Sequence, residues 1–134
     1  MAVEHVNPET LFRLPAFSQI VVAPPGRLAF IAGQGPFDPD FNLVGRDDLK
    51  AQTIQAFRNL KAALAAVGAT PADVVSTTFY VVELDEAKTG EFVAGMNAAL
   101  DGNPFPPNAS TLVGVTRLGH PAIKVEISAV AAIP

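Results

Sequence analysis

Glu126 lies in Lys124-Val125-Glu126-Ile127, where apolar and polar residues alternate. The alternation puts Ile123, Val125, Ile127, Ala129 and Ala131 on one face of a strand and Lys124, Glu126, Ser128 and Val130 on the other. A carboxylate beside apolar walls, but outside the core, can take a proton from water and return it. The same residue also fits a solvated strand glutamate beside Lys124. Upstream, Pro106-Pro107-Asn108-Ala109-Ser110-Thr111 brings an amide and two hydroxyls to the start of another strand. These groups offer hydrogen bonds without charge. A strand-edge hydroxyl bonded to backbone accounts for Ser110 equally well. Gly33 permits close backbone approach to a bound group, or simply closes a turn.

Other chemistries find no support. The chain has no cysteine, which excludes disulfides, thiolate catalysis and thiolate metal sites. His5 and His120 lack companions at a metal-ligand spacing. Asp38-Pro39-Asp40 has no EF-hand ladder and reads as a turn. Gly33-Gln34-Gly35 runs into Pro36 rather than a helix, so it is not a phosphate cradle. Asn108-Ala109-Ser110 fits a glycosylation sequon, but no secretory signal is recognisable at the start of the chain. The net charge is −4 with no run of Lys or Arg, which argues against nucleic acid as a partner. No apolar run reaches the ~18 residues of a membrane span. A cytoplasmic protein is expected.

The elements that must position these residues follow from periodicity. Leu49, Ala56, Phe57, Leu60, Leu64 and Val67 make one helical stripe over residues 47–67. Asp47 or Asp48 is placed to cap its start and Gly68 to end it. Gln52, Gln55, Arg58, Asn59 and Lys61 fall mostly off the stripe. A second helix is read over 85–100 from Phe92, Met96 and Leu100, despite Gly90 and Gly95. Strands are read over 20–23, 28–32, 74–82, 111–116 and 122–132, with a short one near 3–6. Pro24-Pro25-Gly26-Arg27 reads as a hairpin turn between the 20–23 and 28–32 strands.

The 134 residues suit one domain, 1–134, of class α+β, with a single mixed sheet and both helices on one face. The other face must be polar or covered. Charged residues make up 16% of the chain, against about 25% in ordinary soluble domains. Cover by another subunit is therefore expected.

In order and spacing, several strings resemble the Rid/YjgF family of reactive-intermediate (enamine/imine) deaminases, also called the endoribonuclease L-PSP superfamily. They are Phe17-Ser18-Gln19, Ile31-Ala32-Gly33-Gln34-Gly35-Pro36, the helix 52–61, the strand 74–81, Pro107 to Val115, and Lys124-Val125-Glu126-Ile127. The resemblance spans nearly the whole chain. It implies a chorismate mutase-like fold and a homotrimer with small-molecule clefts between subunits, and it implies no cofactor or metal. It gives Glu126 the catalytic role of positioning water. Phe17, Ala32, Gly33, Gln34, Asn108, Ser110 and Thr111 are expected to line the substrate.

Three positions depart from the pattern. Ser110 stands where the deaminases carry a carboxylate-gripping arginine, Phe17 where many carry tyrosine, and Ala32 where serine is frequent. The pocket is thus expected to be less polar, and ordinary 2-imino acids to be poor substrates. Among cations that could replace the clamp, Arg27 and Arg117 read as solvated, while Arg13 could approach a cleft near Phe17. Two readings follow: a hydrolase for a pathway-specific enamine, imine or carbonyl metabolite, or a non-catalytic metabolite-binding trimer. A ribonuclease reading finds no basic stripe with stacking aromatics.

Overall fold

The computed structural model describes residues 3–134. Strands β1 (Glu4–Val6) and β2 (Ile20–Val22) pair antiparallel as a two-stranded ribbon. β3 (Arg27–Gln34), β4 (Val74–Val82), β5 (Ala109–Val115) and β6 (Val125–Ile133) form a mixed sheet in the order β3-β6-β4-β5. The β4–β5 pair is parallel and the other pairs are antiparallel. Helices α1 (Leu49–Ala66) and α2 (Glu86–Ala98) pack on one face. The α+β class, the mixed sheet and the one-sided helices are as read from sequence.

The expected hairpin across Pro24–Arg27 is not formed. β2 pairs with β1, and β3 pairs with β6. Pro24 and Pro25 carry no backbone N–H, so they cannot continue a ladder. The chain leaves the ribbon there and starts the main sheet at Arg27.

Asp48 caps α1, its carboxylate accepting from the Ala51 N–H at 3.0 Å. Gly68, at φ +74°, ends it. The Ala69 N–H returns to the Leu64 carbonyl at 2.9 Å and the Gly68 N–H to Ala65 at 3.1 Å, a Schellman closure. Asp85 caps α2 in the same way as Asp48 caps α1, at 2.8 Å from the Lys88 N–H. That bond holds its carboxyl below the ordinary value.

Between helices and sheet lies an aromatic core. Phe57 sits 4.9 Å from Phe105 and 5.7 Å from Phe79, and Phe79 sits 4.9 Å from Phe92, measured between ring centroids. All four rings are buried, each worth about 1.5–3 kcal/mol by transfer. The α1–α2 contact depends on Gly95, where an added Cβ would lie 2.7 Å from the Cβ of Thr53.

Gln52, placed by the helical stripe among the polar residues, is fully buried. Its Oε1 accepts from the Lys124 N–H at 2.7 Å, and its Nε2 donates to the Ala122 carbonyl at 3.2 Å. Two turns along the helix, Asn59 Nδ2 donates to the carbonyls of Gly35 and Phe37, each at 2.8 Å. One helix therefore holds both the lead-in to β6 and the exit from β3. Among the described residues no helix is long and apolar enough to cross a membrane.

Candidate functional site

The face of the sheet away from the helices is set by register. Glu126 pairs across the strands with Tyr80, and Tyr80 with Val113. The next row holds Ser128, Thr78 and Thr111. Cross-strand partners share a face. Phe79 and Ile127, buried under the helices, fix the opposite one. Glu126, Tyr80, Thr78, Thr111 and Ser128 thus stand together on the helix-free face.

β3 brings Gly33 against this row. Ile31 pairs with Ala129 and Gln34 with Ile127, so Ala32 and Gly33 together oppose Ser128 alone. This is a β-bulge, which breaks the ladder and re-aims the strand. At the bulge the Glu126 side chain lies directly over the Gly33 backbone. A Cβ on Gly33 would come within 2.6 Å of the Glu126 Cδ and 2.8 Å of its Cγ. Gly33 is a glycine because a carboxylate occupies the space of its side chain. Gln34 folds back, its Nε2 donating to the Ala32 carbonyl at 3.0 Å. A depression of about 440 Å³ opens beside Gly33 and Gln34 toward Phe37, Asp38 and Asn59 of the following loop and α1.

Ser110 does not join Glu126 within the chain. It pairs with Thr77, whose row continues to Ala129 on the helix side. Thr77 is buried, and its hydroxyl donates to Asn108 Oδ1 at 2.8 Å. Asn108 is itself buried, with Nδ2 donating to the Pro106 carbonyl at 3.3 Å. Its amide, expected as a free donor, is spent on holding the connector. The Asn108 carbonyl accepts from the Ser18 N–H at 2.9 Å, which docks the Phe17 loop beside it. Phe17 and Arg13 line one depression there.

The candidates form two groups. Ala32, Gly33, Thr111 and Glu126 belong to the open face and its β3 edge, whereas Gln34, paired with Ile127, turns to the helix side near Asn59 of α1. Asn108 and Ser110 belong to the helix side at the start of β5, with the Phe17 loop docked beside Asn108. Tyr80, the cross-strand neighbour of Glu126, was not singled out for the site from sequence. Its signal was present in the alternation with Phe79. The Gln52 and Asn59 anchors had no such signal, because their partners lie 70 and 24 positions away.

The family described as Endoribonuclease L-PSP matches residues 10–133. A RutC family protein of Pyrococcus horikoshii is 36% identical over 116 residues, covering 86% of this chain and 85% of its own. A 2-iminobutanoate/2-iminopropanoate deaminase of Salmonella typhimurium is 33% identical over 106 residues, covering 79% and 80%. The crystal structure of a Rid-family protein of unknown function from Yersinia pestis superposes with a TM-score of 0.89 at 39% identity, covering 99% of this chain and 100% of that one. With the same fold, a family match over most of its length and relatives above 30% identity, this chain belongs to the Rid/YjgF, or endoribonuclease L-PSP, family.

Proposed function

We propose that this protein is a cytoplasmic, single-domain Rid-type homotrimer that hydrolyses a small enamine, imine or related carbonyl adduct. Water adds to the C=N carbon, ammonia leaves, and a carbonyl product remains. The observation that carries this reading is the Glu126 carboxylate lodged on the Gly33 backbone at the β3 bulge. There it can hold the attacking water, take its proton and return it to the departing nitrogen, with the Gly33 segment offering backbone groups beside it.

Within one chain Glu126 and Ser110 face opposite sides of the sheet. The substrate cleft is therefore assigned to a subunit boundary, where the β5 start of one copy meets the open face of another. Ser110 in the arginine position offers one hydroxyl in place of a charged fork. Such a loss is worth about 1.5–3 kcal/mol, roughly ten- to a hundredfold in binding. A pathway-specific substrate is thus favoured over the 2-imino acids derived from serine or threonine. RNA is disfavoured by the net charge of −4.

The test is turnover of 2-aminoacrylate generated in situ and of larger enamines. Hydrolysis above the buffer rate, falling at least a hundredfold in Glu126→Gln, is expected. Equal rates with and without protein would end the hydrolytic reading. Ligand-induced thermal stabilisation without turnover would point to the metabolite-binding trimer instead.

A further inference from the structure

The loop between β1 and β2 carries Arg13, which has no carboxylate within ion-pair distance among the described residues. Among the described residues the ion pair is Lys88 with Asp85, at 3.1 Å. Arg13 instead borders a depression of about 180 Å³ together with His5, Leu14, Phe17, Ser18 and Pro107. Leu14, Phe17 and Pro107 give it apolar walls. On the polar side Ser18 is buried, 4% exposed, and its hydroxyl lies 2.6 Å from His5 Nδ1. The loop is tied down at several points. The Gln19 N–H donates to Asn7 Oδ1 and Gln19 Nε2 to the Phe12 carbonyl, each at 2.9 Å. The Phe12 ring meets Phe17 edge-on at 5.8 Å.

We propose that this depression is a carboxylate subsite, in which the Arg13 guanidinium grips the anion and Phe17, Leu14 and Pro107 cover an apolar body. A planar guanidinium matches a carboxylate with two parallel hydrogen bonds. One cation suits a monoanion better than a phosphate. The volume lies below the ~300 Å³ at which drug-sized pockets begin, so the ligand is a small organic acid. The Ser18 N–H bond to the Asn108 carbonyl, 2.9 Å, seats the subsite on the segment leading into β5. Ser110 follows two residues on, roughly 7 Å along extended chain. An acid held by Arg13 can thus direct its other end toward the cleft assigned above. That last step rests on the hydrolytic reading; the anion subsite itself does not.

The test is calorimetric titration of the full chain at low ionic strength with benzoate, benzamide and inorganic phosphate. Benzoate is expected to bind at least tenfold more tightly than benzamide, and more tightly than phosphate. Arg13→Ala should weaken benzoate tenfold or more, with Arg13→Lys intermediate. Equal affinity for benzoate and benzamide, or an unaltered Kd in Arg13→Ala, overturns the subsite. Phosphate binding as tightly as benzoate overturns its assignment to carboxylates. The imine assay separates the two proposals. Benzoate binding through Arg13 without imine hydrolysis leaves the subsite standing and ends the hydrolytic reading. Hydrolysis with an unaltered KM for acidic substrates in Arg13→Ala, and no loss of benzoate binding, does the reverse.

Discussion

At Gly33 the requirement for glycine is a matter of space. No positive φ is recorded there, unlike Gly45 and Gly68. The cause is the Glu126 side chain, whose Cγ would stand 2.8 Å from an added Cβ, closer than carbon atoms pack. Gly33→Ala must therefore push the carboxylate out or open the bulge. The carboxylate is the far end of a flexible side chain and can swing aside at little cost in stability, but a reacting group displaced by about 1 Å can lose a hundredfold in rate. The rate loss is expected without a large loss of stability, read by imine turnover and thermal denaturation. The double variant Gly33→Ala/Glu126→Ala should be as stable as Glu126→Ala alone, because the overlapping atoms are gone, while remaining inactive. A double variant clearly less stable than Glu126→Ala would show that the two residues do not share the space. Asn108 shows the opposite lesson about single residues. Its amide was legible as a hydrogen-bonding group, but its use was not: the donor Nδ2 turns back to the Pro106 carbonyl, and the Oδ1 accepts from the Thr77 hydroxyl of a strand 31 positions earlier.

At the scale of elements, both helices were legible because an amphipathic period is a local property. Asp48 and Gly68 then fixed the ends of α1 through caps that sequence also displays. Strand pairing was not legible. Whether β2 joins β3 or β1 depends on backbone partners far away, and the turn-like Pro24-Pro25-Gly26 suggested the wrong pair. The face of Ser110 was lost for the same reason, since only the β4–β5 register places it beside Thr77. Gly90 and Gly95 were equal weaknesses of α2 on propensity alone, yet their surroundings differ. An added Cβ at Gly90 meets nothing within 4 Å, whereas at Gly95 it meets Thr53 Cβ at 2.7 Å and the Lys50 carbonyl at 3.1 Å. Gly90→Ala should stabilise the protein by about 0.5–1 kcal/mol, the helix-propensity gain. Gly95→Ala should destabilise it by about 1–3 kcal/mol despite the same gain, because α1 must move away. Chemical denaturation of the two variants checks this. Equal shifts would mean that the helix contact at Gly95 is loose.

For the whole molecule, the decisive feature is a sheet with helices on one side only. Phe30 on its bare side is 78% exposed and Leu28 47%, and Val130, the cross-strand partner of Phe30, extends the apolar surface. A face of this kind in water costs free energy that association recovers. It also carries Glu126, so in the proposed trimer the surface that holds the subunits together is continuous with the surface that reacts. Phe30 lies three residues before Gly33 on β3, close enough to belong to the contact without touching the carboxylate. Phe30→Asp places a charge that would have to be desolvated in the interface, a cost of several kcal/mol when no partner is supplied. It leaves the helix-side core untouched. The variant is expected to sediment as a monomer, to keep its far-ultraviolet circular dichroism, and to lose imine turnover because the β5 start of a neighbour no longer faces Glu126. A wild-type chain that sediments at the mass of one copy, or a monomeric Phe30→Asp variant that still turns over at the wild-type rate, would place the chemistry within a single subunit and remove the reason for assigning Ser110 and Glu126 to one cleft.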